Sequence, residues 1–245
     1  MSDTILEQWW KAVTDGDAET VRAMLATDPT FTRLTGPYDK TALHLAAEKN
    51  HPEVALLLLD GGAPVEAETC WGMTALQWAA NMGSNAVADL LLERGASLNM
   101  WSAAGLGMLD SVRSYWIGPR QLKPGAAQAR CRQEESGVWV KIPPPDDYAT
   151  IVSDAFYIAS RNGRLSVARF LLELGADVNF RGFFGATGLH WASINGHHET
   201  VQFLIEAGAD LTLEDTEFHS TPAGWARETG QTAIAELLRR HAGAV

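Results

Sequence analysis

Apolar positions recur at helical spacing along most of this chain. Val87, Leu90 and Leu91, and again Val201, Leu204 and Ile205, fall on one face of a helix whose end is marked by Gly95 or Gly208. Ahead of each lies a shorter apolar run preceded by Thr41, Thr74, Thr187 or Thr221, whose hydroxyl oxygen can accept an orphaned N–H of a first helical turn. Small residues such as Ala46, Ala47, Ala79, Ala80 and Ala192 let this first helix pack closely on its neighbours. The residue that follows it, Gly83, Gly163, Gly196 or Gly230, suits a left-handed turn, which Asn50 can also adopt. The pattern predicts pairs of helices joined by tight turns.

The pairs repeat along the chain. The segment KTALHLAAEKNHPEVALLLLDGGAPVEA at Lys40 is echoed 33 residues later by MTALQWAANMGSNAVADLLLERGASLNM at Met73. ATGLHWASINGHHETVQFLIEAGADLTL at Ala186 is followed at an offset of 34 by STPAGWARETGQTAIAELLRR at Ser220. With Gly16, Asn50, Gly83, Gly107, Gly163, Gly196 and Gly230 as turn markers, seven units follow at steps of 34, 33, 24, 56, 33 and 34 residues. Period, cap, glycine and apolar phase together resemble the ankyrin repeat, with its roughly 33-residue period and T-P-L-H-x-A helix start. The resemblance implies an all-α solenoid of about seven helix-pair units with short β-turn fingers.

Two of the steps break the period. The short one leaves the fourth unit, WSAAGLGMLDSVRSYW, without an ordinary finger, and the long one adds about 23 residues before the fifth. The irregular insertion lies near 118–150 and holds Pro119, Pro124, Pro143, Pro144 and Pro145, which exclude a continuous helix. Within it VWVKI at 138–142 reads as a short strand. A single domain over 1–245 is expected: an N-terminal capping unit 1–37, repeats 38–117, the Pro-rich insertion 118–150, repeats 151–215 and a C-terminal capping unit 216–245.

Charge narrows the class of partner. Nineteen Lys and Arg against 30 Asp and Glu give a net charge of −11, which repels nucleic acid and anionic membranes at long range. The longest apolar stretches, such as Val54 to Leu59, are too short for a membrane span, and MSDTILEQWW carries no secretory signal. Two cysteines, Cys70 and Cys131, make neither a disulfide framework nor a metal quartet and fit a reducing, cytoplasmic compartment.

In ankyrin proteins, the resemblance implies, ligands are usually proteins held along a concave face of finger tips and first helices. The tips here offer Tyr38 and Lys40, Trp71 and Met73, Phe183 and Phe184, then Glu217 and Phe218. The helices add Glu48, Lys49, Asn81, Met82, Arg161, Asn162, Ile194 and Asn195. Clustered aromatics dominate interface energetics, often at ~2 kcal/mol or more each. The candidate partner-binding set is therefore Tyr38, Lys40, Trp71, Met73, Asn81, Met82, Phe183, Phe184, Ile194, Asn195 and Phe218. The expected function is non-catalytic recognition of a basic or neutral protein segment by a monomer, without cofactor or metal. The competing reading has the finger aromatics folding inward over neighbouring fingers. Trp78, Trp191 and Trp225, at the apolar position of the first helix, read as core, while Trp101, Trp116 and Trp139 flank or lie in the insertion.

Chemistry is sparsely signalled. His44 and His190 stand at the histidine of the T-P-L-H pattern, and His51 and His197 after the turn, where the resemblance implies hydrogen bonds between repeats. His197-His198-Glu199 lacks the i, i+4 spacing of a zinc helix, and neither cysteine has a CxxC partner. No phosphate loop or hydrolase elbow occurs. In the fifth unit Asp154 takes the capping-threonine place and Tyr157 the histidine place. The alternative function is thus a small-molecule or catalytic pocket under the insertion, with Asp154, Tyr157 and His190 as the candidate catalytic residues beside Asp39 and Trp101. A third reading has the insertion filling the groove and regulating access.

Overall fold

A computed structural model describes residues 3–128, 130–134 and 137–243; residues 1, 2, 129, 135, 136, 244 and 245 of the expected caps and insertion lie outside it. The chain opens with α1 (Asp3–Asp15), α2 (Ala18–Thr27), α3 (Ala42–Lys49), α4 (Pro52–Asp60), α5 (Ala75–Met82) and α6 (Asn85–Glu93). After α7 (Met100–Leu106) and α8 (Leu109–Arg113) come the strands β1 (Trp116–Gly118), β2 (Gln121–Leu122), β3 (Arg130–Gln133) and β4 (Trp139–Ile142). The remainder is α9 (Tyr148–Arg161), α10 (Leu165–Glu173), α11 (Gly188–Ile194), α12 (His198–Glu206), α13 (Pro222–Glu228) and α14 (Thr232–Ala242).

Among the described residues the helices form seven helix–turn–helix pairs. All seven predicted turn markers, Gly16, Asn50, Gly83, Gly107, Gly163, Gly196 and Gly230, stand in the left-handed region with φ of 55–79°. The predicted threonines cap the first helices. Thr41 and Thr74 accept the N–H of His44 and Gln77, whose side chains accept the threonine N–H in return. Thr187 pairs with His190 in the same way, and Thr221 accepts the Gly224 N–H.

Contacts gather the chain into two compact units. The first is Met1–Leu98 with Ala129–Pro144, the second Asn99–Gln128 with Pro145–Val245. In the first unit α1, α3 and α5 pack in sequence as one row and α2, α4 and α6 as another. In the second, α7, α9, α11 and α13 form one row and α8, α10, α12 and α14 the other. The alanines of α3 and α5, Ala46, Ala47, Ala79 and Ala80, are fully buried, as close helix approach requires.

The inserted residues are shared out. The β1–β2 hairpin belongs to the second unit, whereas β4, which covers most of VWVKI, pairs antiparallel with β3 from Arg130↔Ile142 to Gln133↔Trp139 in the first. The fifth pair starts earlier than expected. Asp147 accepts the Thr150 N–H at 2.8 Å and caps α9, so Asp154 stands mid-helix instead of at a cap. The insertion's prolines end at Pro145, and no proline interrupts the stretch from Asp147 to Arg161.

Among the closely packed glycines, Gly182 faces a rigid ring. A Cβ on Gly182 would lie 2.3–2.7 Å from the fully buried Tyr157 ring. Gly182→Ala is expected to cost about 2 kcal/mol, read from the denaturant midpoint. Because the clash is with one ring, the cost should be far smaller in a Tyr157→Ala background; full additivity would show that the strain lies elsewhere.

Candidate functional site

Four finger aromatics, Tyr38, Trp71, Phe184 and Phe218, each stand three residues before a capping threonine. Tyr38 and Phe184 are 58% and 52% exposed, and both adopt left-handed backbone, with φ of 62° and 59°. For a residue with a Cβ this conformation costs about 1–2 kcal/mol. The next finger holds them in it. The Tyr38 carbonyl accepts the Cys70 N–H at 3.0 Å, and the Phe184 carbonyl accepts both the N–H and the hydroxyl of Thr216 at 2.8 Å.

In the first unit an aromatic cluster surrounds a cation. Half-buried Trp71 stacks on Tyr38 and Trp78 with centroids 4.8 and 5.5 Å away and meets the edge of Trp139 at 6.1 Å. The Lys40 ammonium lies 4.5 Å from the Trp78 centroid and pairs with Glu48 at 2.6 Å. The same Glu48 oxygen accepts the Trp78 indole N–H at 3.2 Å. Burial pushes the Glu48 carboxyl up, but Lys40, Lys49 and Trp78 outweigh it and hold it below the usual range. Lys141 of β4 pairs with Glu68 at 2.7 Å, fixing the hairpin to the second finger.

The second unit carries a matching cluster. Phe184 neighbours Trp191 at 6.3 Å and Phe218 at 6.5 Å, while Trp225 meets Trp191 edge-on at 4.9 Å. Phe218 is 66% exposed. The Arg161 guanidinium lies 3.6 Å from the Trp191 ring centroid, a contact that no local sequence signal announces. Its finger is shaped by Asp215, whose Oδ1 accepts the Glu217 and Phe218 N–H groups and whose Oδ2 accepts those of Ser220 and the Trp225 indole.

Not every expected surface residue lies at the surface. Tyr38, Met82, Phe184, Asn195 and Phe218 are exposed, whereas Lys40, Trp71, Phe183 and Ile194 are half-buried. Met73 and Asn81 are buried and therefore underlie this face instead of lining it. Met73 is drawn in at the threshold of α5, where its carbonyl accepts the His44 Nε2–H at 3.0 Å. Trp78 and Trp225 are buried as expected, but Trp191 is only partly covered.

The candidate catalytic residues are committed to structure. His190 Nδ1 accepts the Thr187 N–H at 3.1 Å and Nε2 donates to the Ser220 carbonyl at 3.1 Å. His44 repeats this arrangement with Thr41 and Met73. Burial pulls both imidazoles down to about 4, so they are neutral at physiological pH. The buried Tyr157 hydroxyl accepts the Phe183 N–H and is pushed up to about 12, chiefly by burial. His190 is thus neutral and the Tyr157 hydroxyl protonated near neutrality, and Asp154 is buried within α9. Among the described residues no three His, Cys, Asp or Glu side chains group to hold a metal, and no helix is long and apolar enough to cross a membrane.

Tandem helix pairs with capped first helices, left-handed turns and stacked fingers define a repeat protein. A family model of ankyrin repeats matches residues 9–100 and 155–244, and the chain belongs to that family, whose repeats are generally protein–protein interaction modules. The chain is 29% identical over 184 residues to the E3 ubiquitin-protein ligase XB3 of Oryza sativa subsp. japonica, covering 74% of this chain and 40% of that protein. It is 32% identical over 171 residues to the transient receptor potential cation channel subfamily A member 1 homolog of Caenorhabditis elegans, covering 66% of this chain and 12% of that one. It thus spans 40% or less of the length of these curated relatives. The human ASB11 ankyrin repeat domain aligns over 95% of this chain and 96% of its own at 21% identity, with a TM-score of 0.46.

Proposed function

We propose that this chain is a single, monomeric, non-catalytic recognition module that takes a protein segment on finger tips and first helices. The observation that carries the reading is the exposure of Tyr38, Phe184 and Phe218 at tips whose backbone is held by neighbouring residues. Large aromatics kept at the surface, two of them at a conformational cost, find their use in contact with a partner. Lys40, Trp71 and Met82 complete the contact set of the first unit, and Phe183, Ile194 and Asn195 that of the second. The net charge of −11 steers a basic or neutral partner toward it, in a reducing compartment such as the cytoplasm.

The test is affinity capture from native lysate with the wild-type chain and a Tyr38→Ala/Phe184→Ala variant. A bound protein is expected to be lost with the variant, since two anchors at about 2 kcal/mol each amount to several hundredfold in affinity. Equal retention by both chains overturns the assignment.

A further inference from the structure

The second unit contains half of an ion pair. Arg161, the last residue of α9, is 8% exposed, and its guanidinium stacks on Trp191. Its side chain hydrogen-bonds to the hydroxyl of Tyr157, a neutral group that the buried Asp154 carboxylate also influences. Its Nε is sealed from solvent without a hydrogen-bond partner, and so is the indole Nε1 of Trp191. Among the described residues no carboxylate lies within ion-pair distance of it.

The first unit supplies the comparison. Glu48 occupies the place two residues before its turn, as Arg161 does, and likewise touches the tryptophan of the following pair. There the carboxylate accepts the indole N–H and pairs with Lys40 and Lys49, so the indole donor and the half-buried Lys40 ammonium each have a partner. At Arg161 the cation has a hydroxyl beside it and no carboxylate in contact, and its Nε and the Trp191 indole N–H have no acceptor. A buried, uncompensated guanidinium is unfavourable, and an acceptor-rich anion is what completes it. Phe184 beside Trp191 offers an exposed apolar wall next to this cation.

We propose that Arg161 anchors the carboxylate of a glutamate or aspartate in the bound protein segment, with an adjacent aromatic or aliphatic residue of that segment packed on Phe184. The assignment rests on the reading that this face takes a protein segment. A carboxylate matches the planar fork of a guanidinium, and the Trp191 stack holds that fork in one orientation. The overall negative charge does not oppose it. Charges beyond about 8 Å are screened in physiological salt, whereas a contact pair on a dry aromatic floor is not.

Isotopically labelled protein titrated by NMR with acetyl-Phe-Glu-amide, acetyl-Phe-Gln-amide and sodium acetate decides the matter. Resonances are assigned from Arg161→Gln and Trp191→Phe variants, whose folding is checked by thermal melts. The glutamate peptide is expected to shift the Arg161 Nε–H and Trp191 indole signals and to bind about tenfold more tightly than the glutamine peptide. Arg161→Gln should erase that preference, whereas Phe184→Ala should weaken both peptides alike. Equal binding of the two peptides by the wild type overturns the Arg161 assignment and leaves the recognition face standing. Binding of neither overturns both, and an acetate response equal to that of the glutamate peptide overturns the peptide in favour of any small anion.

Discussion

Lowering the pH from about 7 to about 4 is expected to remove about 3 kcal/mol of stability from each unit, through His44 in the first and His190 in the second. Both imidazoles titrate at about 4 in the folded chain against an ordinary 6.5, because burial disfavours their charged form. The unfolded chain therefore takes up these protons first. The stability they contribute is complete above pH 6.5, falls as the pH drops toward 4, and changes no further below that. The geometry gives the same sign, since a protonated Nδ1 would turn its new N–H against the N–H of Thr41 or Thr187. Asp215 does not blur the window. Burial pushes its carboxyl up, but the N–H groups of Phe218, Trp225, Ser220 and Glu217 outweigh it and hold it at about 2, so its contribution persists to lower pH. The third pair supplies the control, because Gln77 stands at the histidine place and accepts the Thr74 N–H at 2.8 Å. His44→Gln/His190→Gln is thus expected to keep both capping boxes and to flatten the profile. Urea midpoints followed by circular dichroism across this range check it, and a wild type as stable at pH 4 as at pH 7 refutes it.

Asp215→Ala should be the most damaging single substitution in the last finger, at a cost on the order of 4 kcal/mol. The carboxylate is 1% exposed, and its two oxygens collect three backbone N–H groups and an indole N–H at 2.6–3.0 Å. Alanine leaves all four donors without an acceptor in a stretch that has no helix or ladder of its own. The terminal pair α13–α14 rests on one neighbouring pair alone, so it should unfold first, ahead of the rest of the second unit. Quenching of Trp225 before the main transition reads this out. Asp215→Asn keeps an acceptor on one side and presents an NH2 to donors on the other, and an intermediate loss is expected. An alanine variant as stable as wild type would show that solvent satisfies these donors.

How much of this was readable depended on the range of the forces involved. The threonine caps and left-handed turns are set by residues three or four apart, and the sequence places each of them. The start of α9 departs from the repeat pattern: Asp154 stands at the place of the capping threonines of other units, yet Asp147, just after the prolines, is the cap. The burial of Met73 depends on His44, 29 residues away, and the attachment of β4 depends on a pair between Lys141 and Glu68, 73 residues apart. The strand β3 carries no apolar alternation to betray it. Arg161 was visible as a lining residue, but its missing counter-charge appears only once Trp191 is laid against it.

The left-handed finger tips set two demands on the same residues against each other. Glycine or asparagine at positions 38 and 184 would relieve the backbone and leave the inter-finger hydrogen bonds in place. Chains ranked by heat resistance alone would therefore accumulate those replacements and shed the aromatic rings one by one. On the proposed recognition reading, thermal hardening and partner affinity diverge at Tyr38 and Phe184, and a hardened version of this chain would be well folded and blunt.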